Sequence, residues 1–505
     1  MQMPGMTAAR RTAAMRLSEL LSRLSASDWD PARGDPDVRD VDCDSRKTRP
    51  GTLFVAIDGV RDDGARYVAD ALSRGAVAVV SERPAPPDVS APWARVPDAR
   101  AALALLSCAV HGDPTRHLAV YAITGTNGKT TTAGLLRDVL EAAGVRAGLL
   151  STVEYAYPGH CEEASRTTPD ACSLQRYFAE MRTAGCRAAV MEASSHALVQ
   201  SRTGGIRFAA AGFTNLSRDH FDYHKDFEDY FAAKCILFRQ LGEGTPGAAG
   251  VVNADDPYGR RLLAMLPGMG VRPVSYGIGG DADIRAEDVE LDARGSRFTL
   301  VTPAGRARVE SALLGRYNVS NLLCVAGLAL AGGVAFDVLV RALAAARPRW
   351  GRLEKVAEVR GASVFVDYAH TPDAIEKALM ALREITRGRL SIVFGCGGDR
   401  DRAKRPQMAE IAARLADRVI LTSDNPRTED PEAILDEVQA GIPAGRGFAR
   451  KADRRAAIRL ALAGAGEGDC VLVAGKGHET YQEINGVKHP FDDRDVVREE
   501  AGTIG

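Results

Sequence analysis

The stretch LAVYAITGTNGKTTTAGLLRDVLEAAG, residues 118–144, decides the fold of the middle of this chain. Its apolar residues at 118–124 predict a buried strand, and the segment at 133–144 predicts a helix. Between them lies GTNGKTTT, a glycine-rich loop that ends in lysine and threonines. This order is typical of a P-loop, in which backbone N–H groups and a helix N-terminus hold phosphate oxygens. The sequence therefore predicts a phosphate-binding site.

The spacing of this loop departs from the general G-x-x-x-x-G-K-[ST] pattern. Position 123 is Ile, and Gly125 lies only three residues before Gly128, which indicates a shorter loop. We expect Lys129 to neutralise the β and γ phosphates of ATP, and Thr130 to give its hydroxyl to Mg²⁺. An accidental glycine-rich turn is the alternative. The predicted nucleotide-binding residues of the loop are Gly125, Thr126, Asn127, Gly128, Lys129, Thr130 and Thr131.

The composition is that of a globular protein with almost no net charge. The 505 residues are 45% hydrophobic and 26% charged, and 65 basic against 66 acidic side chains leave a net charge of −1. Such a balance gives no overall positive field, so neither nucleic acid nor a membrane surface is an expected partner. The longest nearly apolar stretch, residues 322–336, is too short to span a bilayer. We expect a monomer.

Cysteine usage and the N-terminus both favour a cytoplasmic location. The nine cysteines are scattered and include no C-x-x-C pair, which fits a reducing compartment better than a disulfide framework. The first 16 residues carry arginines but no apolar segment and no small-residue cleavage site, so a secretory signal is not expected.

The chain divides into three predicted α/β domains. We place a small N-terminal domain at 17–113, a central domain with a parallel sheet at 114–347, and a C-terminal Rossmann-like domain at 348–505. In the last of these, four apolar runs each end in a Gly, Asp or His cluster. The carboxyl ends of strands are where open α/β sheets place their ligands, so a second site is predicted there.

Many further short motifs follow the loop in a fixed order. Together with TGTNGKTT at 124–131, they resemble the Mur ligase superfamily of amide ligases, which also includes the folylpolyglutamate synthases. The match is to those members that add the third amino acid of the peptidoglycan stem. The motifs are DSR at 44–46, TTPD at 167–170, EASSHALVQSR at 192–202, NLSRDHFDYH at 215–224, AAK at 232–234, GRYNVSN at 315–321, DYAHTPD at 367–373, GCGGDRDRAKRP at 395–406, DNPR at 424–427 and GKGHE at 475–479.

The resemblance implies that a carboxylate is activated by ATP as an acyl phosphate and then attacked by an amine. Triphosphate and carboxylate are both anionic, so Mg²⁺ and fixed cations must lower the electrostatic cost. The implied metal ligands are Thr130, Glu192, His220 and Lys234, the last as a carbamate formed with CO₂. The implied catalytic residues are Lys129, Glu192, His220, Lys234 and Arg352.

These residues also have ordinary structural interpretations. Glu192 follows a predicted strand and would pair with an arginine, and His220 and His224 would be solvated or core histidines. By its pattern alone, Lys234 is a lysine on a helix surface. Asn318 and Asn321 begin an apolar helix, where Asn is a common N-cap.

The family resemblance assigns Asn318 and Asn321 to the nucleotide, together with Arg352 and Asp367 of the third domain. Trp350 stands before Gly351 and Arg352, where a small residue or proline is expected. This departure weakens the placement of the link between the second and third domains.

DNPR bears on which amino acid is added. Enzymes of the family that add meso-diaminopimelate carry this arginine and lysine-adding enzymes lack it, because Arg427 can pair bidentately with the distal carboxylate. The alternative is a plain Asx-Pro turn. The residues predicted for this substrate are Arg400, Asp424, Asn425, Pro426, Arg427, Gly475 and Glu479. The residues predicted for a UDP-N-acetylmuramoyl-dipeptide are Ser45, Thr167, Thr168, Ser194, Gln200 and Arg202.

Two alternatives to this interpretation stay open, and a third is disfavoured. A folylpolyglutamate synthase shares the loop but is not expected to carry DSR, or DNPR with GKGHE. A non-enzymatic P-loop regulator would need neither Glu192, His220 nor Lys234. A dinucleotide oxidoreductase is disfavoured, because Arg400 stands where the third glycine of G-x-G-x-x-G belongs.

Overall fold

A computed structural model describes residues 14–24, 27–59, 63–221, 223–348 and 351–504. Trp350, the residue that departs from the family pattern before Gly351 and Arg352, lies outside these residues. Across the described ranges, no helix combines the length and apolar character needed to cross a bilayer. The chain separates into two compact units, one mainly of residues up to Arg285 and one mainly of residues from Leu343 onward.

The N-terminal segment is a small α/β layer. Strands β4 to β7 are parallel neighbours, and β2 joins β7 in antiparallel fashion. Its core is formed by β5, β6 and α3, and it extends to Ala171 and Cys172 of the following segment. The strands are β1 Met15–Arg16, β2 Asp28–Trp29, β3 Asp37–Val38, β4 Asp40–Asp42, β5 Thr52–Ala56, β6 Ala76–Ser81 and β7 Trp93–Arg95, and the helices are α1 Leu17–Leu21, α2 Val68–Ser73 and α3 Ala99–Val110.

The central segment is built on a larger sheet, which runs in the order β11-β10-β9-β12-β8-β13-β14-β15. Strand β15 also pairs in parallel with the start of β16, and β17 and β18 follow along the chain. The strands are β8 Ala119–Thr124, β9 Ala147–Leu150, β10 Glu154–Tyr157, β11 His160–Glu163, β12 Ala188–Glu192, β13 Phe208–Phe213, β14 Ala249–Asn253, β15 Arg272–Gly277, β16 Ile284–Asp292, β17 Gly295–Thr302 and β18 Gly305–Ser311. The helices are α4 Lys129–Ala142, α5 Ala171–Thr183, α6 Ser195–Val199, α7 Phe227–Gly244, α8 Pro257–Met265, α9 Arg316–Ala331 and α10 Phe336–Ala345.

Strand β8, which runs into the glycine loop, lies between β12 and β13. Residues 120–124 of β8 are buried, as a continuous apolar run predicts for a strand covered on both faces. Carboxyl ends of parallel strands meet at one edge of a sheet. The glycine loop, Glu192 at the end of β12 and the segment after β13 therefore lie beside one another.

The C-terminal segment has a six-stranded sheet in the order β19-β20-β24-β21-β22-β23, parallel except for β19. The four apolar runs predicted from sequence are its strands β20, β21, β22 and β24. The strands are β19 Glu354–Val359, β20 Ala362–Asp367, β21 Leu390–Phe394, β22 Arg418–Leu421, β23 Ala449–Arg450, β24 Cys470–Ala474, β25 Tyr481–Ile484 and β26 Val487–Pro490, and the helices are α11 Pro372–Ile385, α12 Lys404–Leu415, α13 Pro431–Gln439, α14 Arg454–Ala463 and α15 Asp493–Ile504.

The three-domain α/β class is confirmed, since each predicted domain contains its own main sheet. The bounds 17–113, 114–347 and 348–505 stay a prediction. The central sheet is parallel from β9 through β12, β8, β13 and β14 to β15, and at its edge β10 pairs in antiparallel fashion with β9 and β11. The strands β16 to β18 were missed, because their polar and apolar residues alternate and do not form continuous apolar runs.

A buried ion pair ties the ends of β22 and β24 to α15. Arg454 and Asp493 are both buried, and the guanidinium donates from Nε and Nη2 to the two carboxylate oxygens at 2.7 and 2.6 Å. It also donates to the carbonyls of Ser423 and Ala474, at 3.2 and 3.0 Å. Those carbonyls follow or end the two strands that carry the predicted amino-acid site.

We expect Asp493→Asn to lower the free energy of unfolding by about 3 to 5 kcal/mol, because it leaves a buried guanidinium without its counter-charge. The matched control is Glu376→Gln, which breaks the exposed pair with Arg414 and should cost less than about 1 kcal/mol. Urea unfolding followed by circular dichroism measures both. Equal losses in the two variants would contradict the structural role given to the buried pair.

Candidate active site

The glycine loop needs both of its glycines. Gly125 and Gly128 have φ of +147° and +84°, in a region of backbone conformation that residues other than glycine rarely adopt. A Cβ on Gly128 would lie 2.4 Å from Oδ1 of Asn321, and one on Gly125 would overlap the hydroxyl of Thr214. Only glycine therefore fits at either position, and α4 begins directly after Gly128, at Lys129.

The loop is anchored on the segment after β13. Asn215 accepts from the backbone N–H of Thr126 and of Asn127, at 2.9 and 3.0 Å, and its amide donates to the carbonyl of Asn127. Asn215 stands first in NLSRDHFDYH but was not among the predicted site residues. An Asn after a strand is common, and only the fold shows that it faces the loop.

Two lysines donate to the same carbonyl oxygen in this loop. Nζ of Lys129 donates to the carbonyls of Gly125 and Thr126 at 3.0 and 2.8 Å, and Nζ of Lys234 donates to that of Gly125 at 2.9 Å. Neighbouring ammonium groups disfavour each other's charge. The charge of Lys129 at the loop therefore disfavours the charged form of Lys234, and Lys129 is the cation that a triphosphate site requires.

The interpretation of Lys234 as a surface lysine is wrong. Lys234 is 1% exposed, because it lies on the face of α7 that packs on the sheet together with Tyr230, Leu237 and Phe238. Its Nζ lies 4.2 Å from the centre of the Tyr230 ring. Burial, and next the charge of Lys129, hold the pKa of Lys234 well below its ordinary value. A neutral amine is the form that reacts with CO₂.

Glu192, the last residue of β12, is buried and is bonded to Thr152. Its two carboxylate oxygens accept from the backbone N–H of Thr152 at 2.7 Å and from the Thr152 hydroxyl at 3.0 Å. That hydroxyl also lies 3.1 Å from the hydroxyl of Thr167. Through Thr152, Glu192 is linked to the TTPD segment. The described side-chain contacts of Glu192 are with a threonine, so they do not support the alternative of a structural pair with an arginine.

The residues predicted for the UDP-muramoyl dipeptide gather beside Glu192, apart from Ser45. Thr168 donates to the Glu192 carbonyl at 2.8 Å and accepts from the N–H of Ser194 at 3.0 Å. Arg202 donates to the carbonyl of Thr168 and to Gln200, at 2.9 and 2.6 Å. Burial, and next the charge of Arg166, lower the pKa of Arg202.

Ser45 begins a short 3₁₀ turn, Ser45–Lys47, after β4. The preceding Asp44 caps this turn by accepting from the N–H of Arg46. Lys47 approaches Asp170 of the TTPD segment, with Nζ and Oδ2 4.0 Å apart. The DSR turn therefore lies next to TTPD.

The two histidines of NLSRDHFDYH differ in environment. His220 has a φ of +57° and is half-exposed, with Nε2 3.4 Å from Oδ2 of Asp219. His224 is buried, and its two ring nitrogens lie 2.9 Å from the Ser195 hydroxyl and 3.2 Å from Oδ2 of Asp229. His224 is thus a core histidine that fixes the start of α6, whereas His220 is accessible.

The prediction that Asn318 or Asn321 caps α9 is wrong, because the helix already begins at Arg316. Asn318 lies in its first turn and donates to the carbonyl of Leu314 at 2.9 Å. Asn321 lies against the glycine loop, where its Oδ1 accepts from the hydroxyl of Thr132 at 3.4 Å. Both side chains therefore act away from the helix N-cap.

Arg352 and Asp367 lie close together in the C-terminal segment. Asp367 is buried and accepts from the N–H of Leu353 at 2.6 Å. Burial raises the pKa of Asp367, and the charge of Arg352 opposes that shift. The Arg352 guanidinium lies 4.9 Å from the centre of the Tyr368 ring. Within the described structure its Nε is buried without a hydrogen-bond partner, as a group held for a ligand would be.

The DNPR and GKGHE segments meet at the ends of β22 and β24. The Asn425 amide donates to Glu479 at 2.8 Å. Lys476, which is fully buried, donates to both Asn425 and Glu479 at 3.1 Å. A Cβ on Gly475 would lie 2.5 Å from Oδ2 of Asp424, so glycine is required there.

Arg427 is held by partners on two sides. Its φ is +51°, Nη1 donates to the carbonyl of Gly398 at 2.7 Å, and Nε lies 3.5 Å from Oε2 of Glu483. Its guanidinium also faces Gly397, so the loop that leads to Arg400 is a neighbour. Arg400 itself is exposed. This geometry leaves Arg427 in an oriented position that a plain Asx-Pro turn does not explain.

Sequence reasoning missed several supporting residues. Lys476 lies within GKGHE but was not among the predicted site residues, and Glu483 belongs to none of the motifs. The buried Arg405 donates to Glu429 and Glu437, and Glu429 accepts from the N–H of Asp399 at 2.6 Å, which holds the loop before Arg400. A buried arginine has no periodic signal, since its charge predicts exposure.

The fold and this arrangement define a phosphate-binding α/β enzyme with a second, charged site on its C-terminal sheet. Three family models match the chain: "Mur ligase family, catalytic domain" at 37–111, "Mur ligase middle domain" at 123–329 and "Mur ligase, glutamate ligase domain" at 351–477. The chain belongs to the Mur ligase family, and it is a ligase.

Known proteins resemble the chain over its whole length. A UDP-N-acetylmuramoyl-L-alanyl-D-glutamate--2,6-diaminopimelate ligase of Gloeobacter violaceus is 46% identical, covering 96% of this chain and 98% of its own. A solved structure of a ligase with the same name is 34% identical, with a TM-score of 0.73 and coverage of 97% and 99%. A MurF ligase from Thermotoga maritima in complex with ADP is 19% identical with a TM-score of 0.60, covers 92% and 97%, and shows the fold alone.

We expect Lys234→Met to raise the free energy of unfolding near neutral pH and to weaken its pH dependence. Because the folded-state pKa of Lys234 is depressed, the unfolded chain binds a proton that the folded chain does not. Wild-type stability should therefore rise with pH, by up to about 1.4 kcal/mol per unit, until the ordinary lysine pKa of 10.5 is reached. The variant should lack this contribution.

Thermal unfolding of the wild type and the variant over a range of pH tests this. The exposed Lys451 provides the control, since Lys451→Met should leave the pH dependence unchanged. If the pH profile of Lys234→Met matched that of the wild type, Lys234 would not be held neutral by burial.

Proposed function

We propose that the protein is an ATP-dependent ligase that joins meso-diaminopimelate to UDP-N-acetylmuramoyl-L-alanyl-D-glutamate in the synthesis of peptidoglycan precursors. The observation that carries the proposal is the oriented Arg427, bonded to Gly398 and beside Glu483 in the DNPR segment. The relatives named for this reaction over nearly the full chain support it. Cytoplasmic location and a monomeric state remain predictions.

In this proposal, the glycine loop binds the phosphates of ATP. The N–H groups at the start of α4, which follow the two that donate to Asn215, face the phosphate oxygens, and Lys129 moves from the loop carbonyls to the β and γ phosphates. Asn321 against Gly128 keeps the loop in shape. For Arg352, Asp367 and Asn318, the role at the nucleotide stays what the family resemblance implies. The observation that supports it is Nε of Arg352, which is buried without a hydrogen-bond partner within the described residues.

The donor set around the loop fits Mg²⁺, which prefers hard oxygen ligands. Glu192 would hold the ion with a carboxylate fixed by Thr152, aided by Thr130, by His220 and by Lys234 as a carbamate. When bound, Mg²⁺ lowers the electrostatic cost of bringing the triphosphate and the substrate carboxylate together. Burial holds the pKa of Lys234 well below its ordinary value, which favours the neutral amine that carbamate formation requires.

The remaining residues hold the two substrates. Thr167, Thr168, Ser194, Gln200 and Arg202 form a connected polar segment beside Glu192, which suits a nucleotide sugar whose carboxylate is to be activated as an acyl phosphate. Ser45 joins them from the DSR turn.

The amino acid is selected by charge. Arg427 and Arg400 face the distal carboxylate of diaminopimelate, and Glu479, held by Asn425 and Lys476, accepts from the ammonium group at the same stereocentre. Asp424, Pro426 and Gly475 shape this pocket. Lysine lacks the distal carboxylate and would leave the guanidinium of Arg427 without the bidentate partner that diaminopimelate supplies.

The direct test is phosphate release by the purified protein with ATP, Mg²⁺ and UDP-N-acetylmuramoyl-L-alanyl-D-glutamate, on addition of diaminopimelate or lysine. We expect release and a tripeptide product with diaminopimelate only. Release with lysine at a similar rate would contradict the proposed specificity, and release with neither would contradict the proposed reaction.

We expect Lys234→Ala to be nearly inactive and to be partly rescued by acetate, which supplies the oxygen ligands of the missing carbamate. Product formation is measured with increasing acetate, and chloride at equal ionic strength is the control. Full activity without acetate would exclude an essential carbamate, whereas an inactive variant that acetate does not rescue would count against the ligand role.

We expect Arg427→Ala to lower kcat/KM for diaminopimelate by about 30-fold to several thousandfold, since losing one partner of a closed charge pair costs about 2 to 5 kcal/mol. Activity with lysine should change little or rise slightly. Arg427→Lys should keep only part of the activity, because an ammonium does not form a planar, two-pronged pair.

The exposed Arg414 offers a matched control, and Arg414→Ala should change neither value. If kcat/KM of Arg427→Ala fell by the same factor for both amino acids, Arg427 would act on structure or on ATP, and the choice of diaminopimelate would lose its physical basis.

A further inference from the structure

Two cysteines and an aspartate from distant parts of the chain meet beside the DSR and TTPD segments. Asp42 ends β4, Cys43 follows it, and Cys172 is the second residue of α5. The carboxylate oxygen and the two Sγ atoms lie within 4.8 Å of one another. We propose that Asp42, Cys43 and Cys172 bind a thiophilic divalent cation of the zinc class, independently of the nucleotide site.

The separation of the three ligand atoms fits one such ion. Zinc binds cysteine sulfur at about 2.3 Å and carboxylate oxygen at about 2.0 to 2.2 Å, so two ligands of one tetrahedral ion lie about 3.5 to 3.8 Å apart. The three atoms, which lie within 4.8 Å of one another, need to move by about 1 Å at most to reach that geometry. Three protein ligands leave a fourth tetrahedral position for water.

The site is shielded and its shape is fixed by neighbours. Asp42 and Cys172 are 7% and 5% exposed, while Cys43 is partly accessible, which gives an ion a path of entry. The hydroxyl of Ser107 on α3 donates to Sγ of Cys172 at 3.5 Å. Asp42 accepts from the N–H of Asp44 through Oδ1, so the orientation of its carboxylate is set.

The electrostatics favour a cation. Asp40 and Asp170 add negative charge near Asp42, and Lys47 is the basic group that opposes them there. A divalent cation would offset the negative charge that a carboxylate and two thiolates bring together as ligands.

The chemical nature of the three ligands determines which class of ion can bind. Two thiolates with one carboxylate suit zinc or a similarly soft cation, whereas Mg²⁺ prefers oxygen alone. A bound ion would join the turn that carries Ser45 to the helix that follows Thr168 and Asp170. The ion would therefore stabilise the packing of β4 against α5.

The test uses the full chain, freed of metal with a chelator under reducing conditions. Zinc is titrated against a chromophoric chelator, and cobalt is added separately to detect thiolate-to-cobalt absorption bands. We expect one tight site per chain that excess Mg²⁺ does not displace. Cys43→Ser and Cys172→Ser should each weaken binding by more than about tenfold, and Asp42→Asn should weaken it less.

Cys161→Ser removes an exposed thiol and Cys186→Ser a buried one, and both should bind as the wild type does. Circular dichroism verifies that each variant folds. If Cys172→Ser fails to fold, alkylation of Cys43 in the wild type replaces it, and zinc should protect this thiol.

Unchanged affinity in Cys43→Ser, equal loss in Cys161→Ser, or displacement by Mg²⁺ would each overturn the proposal. So would rapid formation of a Cys43–Cys172 disulfide by hydrogen peroxide that zinc does not slow. That outcome would make the two thiols a redox pair and exclude a cation site.

Discussion

The carbonyl oxygen of Gly125 accepts hydrogen bonds from two lysines, and the organisation of the central sheet depends on this contact. Lys129 reaches it from the start of α4, and Lys234 from the buried face of α7. The shared contact holds both side chains at the loop, where the sequence predicts the phosphates of ATP.

This arrangement constrains the elements around it. Because Lys234 must reach the loop from beneath, α7 has to pack closely on β13, and Tyr230 covers the amine with its ring. Gly125 and Gly128 have left-handed φ, and neither position of the turn from β8 into α4 admits a side chain, because Thr214 and Asn321 occupy the space beside them. Shape and charge are thus fixed by the same few residues.

The C-terminal sheet holds charged side chains in fixed orientations at its strand ends, where both acidic and basic groups lie close together. Lys476 lies under Asn425 and Glu479, and the Arg454–Asp493 pair fixes the strand ends that carry them. Arg427 is oriented by a carbonyl on one side and by Glu483 at a longer distance on the other. A guanidinium so held can take a planar carboxylate with little reorganisation.

The sequence by itself determined the α/β class and the glycine loop, because these depend on local patterns, and the same patterns supplied the predicted members of both candidate sites. An apolar run that ends in glycines or in Asp-Asn-Pro needs only its neighbours to be recognised, and the order of the motifs indicated the family. The edge strands β10 and β11 and the strands β16 to β18 were not recognised, since mixed polar and apolar residues give no clear period.

Only the tertiary structure decided what distant residues do to one another. The burial of Lys234, the contact of Asn321 with Gly128, the clamp of Asn215 on the loop and the meeting of Cys43 with Cys172 each join parts of the chain that lie far apart in sequence. A residue's type fixes its charge and size, but its pKa and its partners depend on the desolvation and neighbours that packing creates.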